Sequence, residues 1–129
     1  MTVMLDGNVE DAPVREFKHA WAGRIAKRKQ LMQEKKARLI DIARQCATIL
    51  RDEFSVESIF LTGSLAIALP IHERTDIDIA VRGLPDRCYF RALGVLYGML
   101  PRDVELDLIT LESATPELVA FVEAHGVRL

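Results

Sequence analysis

The sequence has few of the features that mark secreted, membrane-spanning or metal-stapled proteins. It contains two cysteines, Cys46 and Cys88, which have no metal-ligand spacing and lie in apolar, helix-like surroundings, so buried and reduced thiols are predicted. No apolar run approaches the roughly 20 residues that span a bilayer, which predicts no membrane association. The N-terminus carries acids and lacks a basic and then apolar leader, so no signal peptide is visible and a cytoplasmic location is expected.

The chain also lacks a visible internal repeat, a low-complexity stretch and a strong net charge. Its 129 residues are 50% apolar and 28% charged, which is typical of a soluble globular protein. This length supports one domain with a modest core and leaves no room for a separate substrate domain. The net charge of −2 indicates nothing about partners.

The charges are unevenly distributed along the chain. Residues 15–38, the basic arm, carry nine Lys and Arg against two Glu, whereas residues 76–129 carry nine acids against five Arg. The arm could bind nucleic-acid phosphates. Because its only interleaved aromatics are Phe17 and Trp21, a solvated helix face or an oligomer contact is favoured, and nucleic-acid binding stays open.

A long helical pattern dominates the first part of the chain. Residues 1–14 have no usable periodicity and are expected to be a loose lead-in, and a helix is predicted from Arg15 to Phe54. Its second half has an apolar stripe at helical spacing that is expected to face the core: Leu39, Ile42, Ala43, Cys46, Ile49 and Leu50. About 40 helical residues extend roughly 60 Å, whereas a compact chain of this size has a radius of gyration of roughly 14 Å. The basic arm is therefore expected to break or to meet a partner, most simply a second copy of the chain. Residues 39–129 are predicted to form the domain.

Alternating and helical patterns follow one another beyond Phe54. Strands are predicted at residues 58–62, 76–82 and 104–110, and helices at 86–99 and from Pro116 to Gly126. The predicted fold is α/β, of the α+β type. It consists of a small mixed three-stranded sheet packed with about four helices, the first of them long.

Acidic residues share faces on two of these strands. Side chains alternate along a strand, so Asp76 and Asp78 point the same way, about 7 Å apart, as do Glu105 and Asp107. Such pairs are often only the solvated face of a strand. If the two strands are neighbours, however, their carboxylates repel one another. A divalent cation such as Mg²⁺, which binds carboxylate oxygens, would remove that repulsion, so a metal site is the better interpretation.

A glycine and a serine end the first predicted strand. Gly63 lets the backbone approach a ligand, and Ser64 adds a hydroxyl donor where the N–H groups of a following turn attract phosphate. Alone this pair is usually only a turn. Here Asp76 follows Ser64 after an eleven-residue spacer, which makes a phosphate-binding role more specific.

This arrangement resembles the minimal nucleotidyltransferases of the DNA polymerase beta-type superfamily. The shared pattern is a hydrophobic strand, Gly63 and Ser64, the spacer, an Asp-x-Asp strand and a third acid on a later strand, and it covers about residues 39–129. The resemblance implies a nucleotidyltransferase fold that binds ATP and one or two Mg²⁺ ions.

The resemblance also implies roles for individual residues. Gly63 and Ser64 would hold the triphosphate, and Asp76, Asp78 and Asp107 would be the metal ligands. Asp107 would in addition help to deprotonate the attacking hydroxyl, with Glu105 as a secondary candidate for the third acid.

One segment departs from the family pattern. Ile67 and Ala68 stand where many members carry a basic residue and then glycine. His72 and Arg74 lie further along the spacer, where Arg74 could contact phosphate, although a solvated loop is favoured for both. The departure bears on nucleotide affinity and choice, and it leaves the predicted metal ligands intact.

The predicted function is Mg²⁺-dependent transfer of a nucleoside monophosphate, AMP from ATP, to a hydroxyl acceptor. The resemblance suggests that the acceptor is a tyrosine of a partner HEPN-domain toxin, which would make this protein an antitoxin, and a transfer RNA acceptor is a further option. Two alternatives stay open. The chain could neutralise a partner by binding alone through its long helix, or bind nucleic acid through the basic arm.

Overall fold

The structure, a computed structural model, describes residues 7–67 and 75–129, with side chains from Pro13 onward. Its first element is a 48-residue helix, α1, over Gly7–Phe54. The helix begins before Arg15, so the expected lead-in over residues 1–14 is wrong for residues 7–14, and residues 1–6 lie outside the described part. Pro13 lies inside the helix. It removes one backbone donor near the helix start, and the hydrogen bonds of the later turns do not depend on it.

The chain divides into two compact units, Met1–Glu34 and Lys35–Leu129. The first unit presents exposed apolar side chains, among them Phe17, Trp21 and Ile25. The rings of Phe17 and Trp21 stack with centroids 6.4 Å apart. The proposed division into a basic arm and a domain over 39–129 stays a prediction.

The second unit contains the C-terminal part of α1 and the sheet. The predicted apolar stripe is buried at Leu39, Ile42, Ala43, Cys46 and Leu50. Its remaining member, Ile49, is half-buried. None of the helices in the two described ranges is long and apolar enough to cross a membrane.

The sheet is mixed, and over residues 7–67 and 75–129 it has four strands in the order β3-β2-β1-β4. Their bounds are Ser58–Thr62 for β1, Ile77–Arg82 for β2, Leu106–Thr110 for β3 and Val127–Arg128 for β4. β1 runs antiparallel to β2 and to β4, and β2 runs parallel to β3. The mixed α+β fold is confirmed, but the count of three strands is wrong. β4 has only two residues, too few for any alternation to show in the sequence.

The remaining helices are short. α2 spans Tyr89–Met99 after a 3-10 turn, and α3 spans Pro116–His125. The Thr115 hydroxyl caps α3 by accepting from the Leu118 N–H at 3.2 Å, because threonine at this position satisfies an otherwise unpaired N–H. In the part of the chain that the structure describes there are three α-helices and three 3-10 turns, fewer than the four helices expected.

The two faces of the sheet are covered by different residues. One face is buried and apolar, and its members are Ile59, Leu61, Ile77, Ile79, Val81, Leu106 and Leu108. On β2 the other face carries Asp78 and then Ala80, which packs in a cluster with Leu111 and Val122. Strand alternation therefore separates the acids from the main core.

Candidate active site

Two of the predicted acids face each other across neighbouring strands. Asp78 on β2 is directly in register with Asp107 on β3. Because the strands are parallel, both side chains lie on the same face of the sheet, with the backbones about 4.8 Å apart. Asp76 lies one residue before β2, is exposed, and shares the alternation of Asp78. The structure thus brings the three acids to one end of β2 and β3.

Asp78 is the carboxyl most affected by this arrangement. It is half-buried, whereas Asp76 and Asp107 are exposed. Burial raises the pKa of the Asp78 carboxyl above its usual value of 3.8, and the charges of Asp107 and Asp76 raise it further. The ionised form of Asp78 is therefore less favourable here than in water, and a nearby positive charge would favour it.

Gly63 lies against this carboxyl. It directly follows β1, whose Thr62 is in register with Asp78, and it adopts a left-handed φ of 72°. A Cβ at Gly63 would overlap the Asp78 Oδ2 and lie 3.1 Å from its Cγ. Only glycine fits both the backbone conformation and the contact, so the Gly-Ser turn adjoins the acids.

Ser64 occupies the 3-10 turn Gly63–Leu65 and is half-buried. The turn is closed by a 3.1 Å hydrogen bond from the Ala66 N–H to the Gly63 carbonyl, and the buried side chain of Leu65 anchors it. Ser64 is therefore held one residue from the contact between Gly63 and Asp78.

The spacer after Ser64 is described only at its two ends. Ala68, His72 and Arg74 lie outside the described residues. The half-buried Ile67 accepts a 3.5 Å hydrogen bond from the ammonium of Lys36 through its carbonyl. This contact places a cation of α1 beside the segment that follows the Gly-Ser turn. The sequence had no signal for it, because the two residues are 31 positions apart.

The secondary candidate, Glu105, precedes β3. Its carbonyl accepts from the Ile77 N–H at 3.0 Å, which continues the ladder between β2 and β3. Its side chain is exposed, and the acids whose charges raise the pKa of Asp78 are Asp107 and Asp76. Asp107 is therefore the better placed third acid.

The chemistry of these side chains suits a hard divalent cation. Over the two described ranges no three His, Cys, Asp or Glu side chains are grouped closely enough to hold a metal ion by themselves. Mg²⁺ does not need such a group, since it commonly binds one or two carboxylates together with waters and substrate phosphates. Asp78 and Asp107 match that requirement, and a cation would compensate the unfavourable ionisation of Asp78.

The mixed fold and the acids beside a Gly-Ser turn match the nucleotidyltransferase fold that the sequence predicts. Comparison with known proteins makes this class more specific. The sequence matches no protein-family model and no curated protein. Solved structures do match. A toxin–antitoxin crystal structure with AMP-PNP is 29% identical with a TM-score of 0.56, covering 67% of this chain and 70% of that one.

Two further structures extend this likeness. A mutant of the toxin–antitoxin MntA–HepT, with two aspartates two positions apart changed to glutamate, is 27% identical with a TM-score of 0.55, covering 67% of this chain and 70% of that one. A protein from Shewanella oneidensis is 24% identical with a TM-score of 0.51, covering 68% of each chain, and supports the fold alone. The chain has the nucleotidyltransferase fold of MntA.

Proposed function

We propose that this protein is a minimal nucleotidyltransferase that uses Mg²⁺ and ATP to transfer AMP to a hydroxyl of a partner protein. The observation that carries the proposal is the register of Asp78 with Asp107 beside the backbone of Gly63. The similarity to a toxin–antitoxin structure that contains AMP-PNP, a non-hydrolysable ATP analogue, supports ATP as the nucleotide.

The proposed roles follow the geometry. Gly63 and Ser64 contact the triphosphate, and Asp76, Asp78 and Asp107, together with the phosphates, hold one or two Mg²⁺ ions. When bound, Mg²⁺ would offset the negative charge of the carboxylates and the negative charge that develops on the phosphates. Asp78 is suited to this role because burial and the neighbouring acids raise its pKa, and a nearby cation would offset that effect.

In the proposed reaction, the hydroxyl oxygen of the acceptor attacks the α-phosphorus of ATP. A new P–O bond forms, the bond between the α- and β-phosphates breaks, and pyrophosphate leaves with the bonding electron pair. Asp107 accepts the proton of the hydroxyl. The rate enhancement comes mainly from positioning and from compensation of charge.

The proposed acceptor is a tyrosine of a HEPN-type toxin, so that the protein acts as an antitoxin in the cytoplasm. The similarity to structures of MntA with HepT supports a toxin partner. We also propose that the chain self-associates through its basic arm, on which Phe17 and Trp21 are exposed.

The reaction is tested with ATP labelled at either the α- or the γ-phosphate, incubated with Mg²⁺, this protein and the HEPN-type product of a neighbouring reading frame. We expect label from the α-phosphate, and none from the γ-phosphate, to become attached to the partner. Replacing Asp76 and Asp78 together by alanine should abolish labelling and preserve partner binding. Label from the γ-phosphate, or labelling that survives the double substitution, would contradict the proposal.

The second candidate function is neutralisation of a partner by binding alone. It is favoured by the apolar side chains of Phe17, Trp21 and Ile25, which are more than half exposed on a basic helix. If binding alone suffices, the Asp76→Ala, Asp78→Ala protein should still neutralise the partner, and Trp21→Ser should not. A third reading, nucleic-acid binding by the arm, predicts RNA or DNA retention that falls steeply with salt.

A further inference from the structure

The strand that carries Asp107 lies at the edge of the sheet. Among the strands of residues 7–67 and 75–129, which follow the order β3-β2-β1-β4, β3 pairs with β2 alone. An edge strand presents outward N–H and C=O groups that no neighbouring strand satisfies. In addition, the Asp107 carboxylate lies opposite that of Asp78, and like charges on adjacent strands oppose the pairing of those strands. Something must therefore hold β3 in place around Asp107.

A tyrosine of α2 satisfies the outward backbone groups of Leu106. The Tyr97 hydroxyl donates to the Leu106 carbonyl at 2.9 Å and accepts from the Leu106 N–H at 3.1 Å. A hydroxyl can do both because it has one proton and two lone pairs. Tyr97 thus takes the place that a further strand would occupy at the residue before Asp107.

A second tyrosine of α2 acts on the other side of Asp107. The Tyr89 hydroxyl donates to the Leu108 carbonyl at 2.7 Å. Both hydroxyls contact β3 in partly buried surroundings. The backbone is therefore tied to α2 immediately before and immediately after Asp107, while its inner edge is paired with β2.

We propose that Tyr97, assisted by Tyr89, is a positioning residue of the active site. The two hydroxyls hold β3 against the repulsion between Asp107 and Asp78, and so keep both carboxylates on one face of the sheet, where they would hold Mg²⁺. This inference rests on the proposed function, since it concerns the same site. Both tyrosines contact the β3 backbone, so their proposed effect on the reaction is exerted through β3 and not by contact with the nucleotide.

The test compares Tyr97→Phe, Tyr89→Phe and the control Phe90→Leu in the full chain. Phenylalanine keeps the ring and removes the hydroxyl. Phe90 lies on the same helix, is 81% exposed and packs edge-on against the Tyr89 ring. Phe90→Leu therefore controls for lost ring packing while both hydroxyls keep their bonds to β3, and transfer should stay unchanged. The readouts are the Mg²⁺ concentration that gives half-maximal transfer, the KM for ATP, and Mn²⁺ binding by paramagnetic resonance without turnover.

We expect Tyr97→Phe to raise the half-saturating Mg²⁺ concentration and to weaken Mn²⁺ binding by about ten-fold, the lower end of losses caused by removing groups behind a metal ligand. The KM for ATP at saturating Mg²⁺ should stay unchanged. Tyr89→Phe should have a smaller effect, because its hydroxyl makes one bond to β3 where that of Tyr97 makes two. If Tyr97 were needed only for folding, the variant would contain less folded protein, and the folded molecules would depend on Mg²⁺ as the wild type does.

A metal-free readout separates this inference from the proposed function. Hydrogen exchange at the Leu106 amide should accelerate in Tyr97→Phe and stay unchanged in Phe90→Leu. Wild-type metal binding in Tyr97→Phe would overturn the positioning role, and wild-type exchange at Leu106 would overturn the contact itself. Wild-type transfer by Asp78→Asn and Asp107→Asn would instead overturn the proposed function. If Tyr97→Phe does not fold, wild-type metal dependence in Tyr89→Phe would overturn the inference.

Discussion

The backbone of Gly63 lies so close to the carboxylate of Asp78 that no side chain fits between them. A Cβ on Gly63 would meet the Asp78 Oδ2 first and then its Cγ and Cβ, at 3.1 Å and 3.3 Å. The left-handed φ of 72° independently requires glycine. The turn proposed to bind phosphate and the acid proposed to bind metal are therefore one packed unit, and a change at Gly63 should disturb both.

Gly63→Ala is expected to lower the free energy of unfolding by at least about 1–2 kcal/mol, the cost of a left-handed conformation for a residue with a Cβ. The rate of AMP transfer should fall by about 100-fold, because a displacement of about 1 Å in a site group can lower the reaction rate by that factor. Urea unfolding and the labelled-ATP assay measure the two effects.

Gly94→Ala is the matched control for this substitution. Gly94 lies in α2, and apart from its chain neighbours and the helix's own backbone no atom of the described residues lies within 4 Å of an added Cβ. Alanine there should raise the free energy of unfolding by about 0.5–1 kcal/mol through helix propensity, with transfer unchanged. If Gly63→Ala were as stable and active as Gly94→Ala, the packing of the turn against Asp78 would be wrong.

Asp78→Asn is expected to stabilise the metal-free protein. Because the folded-state pKa of Asp78 is raised above 3.8, its contribution to stability is complete below that pH and is lost as pH rises through the folded-state pKa. Asparagine carries no charge, so this loss does not occur in the variant. Its free energy of unfolding should exceed that of the wild type by up to about 1 kcal/mol, the magnitude of a cross-strand charge pair.

The measurement is unfolding by urea between pH 4 and pH 7 without divalent ions, where the advantage of Asp78→Asn should grow with pH. Mg²⁺ with ATP should stabilise the wild type and leave Asp78→Asn little changed. A variant less stable than the wild type at pH 7 without metal would refute the electrostatic account.

The two cysteines should differ in reactivity. Burial raises the pKa of the Cys46 thiol to about 11, so about one molecule in a thousand carries the thiolate at pH 8. Cys88 is only half-buried. A chromogenic disulfide reagent should therefore titrate one thiol in the native protein and two in guanidinium, with none in native Cys88→Ser. Rapid reaction of both native thiols would mean that the stripe of α1 around Cys46 is not packed.

The exposed face of the basic arm should govern self-association. Replacing Phe17 and Trp21 by serine should raise the dissociation constant of the oligomer by at least about 30-fold, which corresponds to one hot spot of 2 kcal/mol. Sedimentation over a range of concentrations measures this. Phe90→Ser is the control, because Phe90 is an aromatic of the other unit that is even more exposed than Phe17 and Trp21. A wild-type protein that is monomeric throughout would contradict the proposal.

The elements predicted correctly are those whose periodicity is local. The alternation in β2 identified which of its side chains face the core, and the helical spacing from Leu39 to Leu50 identified the buried stripe of α1. β4 was missed because a two-residue strand is defined by its partner β1 and not by its own pattern. The helix start was placed too late because residues 1–14 show no usable periodicity, although residues 7–14 are helical.

The candidate site was predictable in part. The spacing in the sequence placed Asp76 and Asp78 together, and the structure adds the register with Asp107. The tyrosine hydroxyls on β3 and the ammonium of Lys36 near the Gly-Ser turn could not be foreseen, because such contacts join residues whose proximity depends on the packing of whole elements. The roles of the acids in catalysis stay predictions.

The central claim is that Asp78 and Asp107 share a divalent ion with a nucleotide held at Gly63 and Ser64. Calorimetric titration of a non-hydrolysable ATP analogue, with and without Mg²⁺, tests it most directly in the wild type and in Asp107→Asn. We predict that Mg²⁺ strengthens binding of the analogue to the wild type. In Asp107→Asn the increase in affinity caused by Mg²⁺ should be smaller by a factor of at least about ten, because one ligand of the ion is lost. Equal binding by both proteins in the presence of Mg²⁺, or binding that does not change when Mg²⁺ is added, would contradict the central claim.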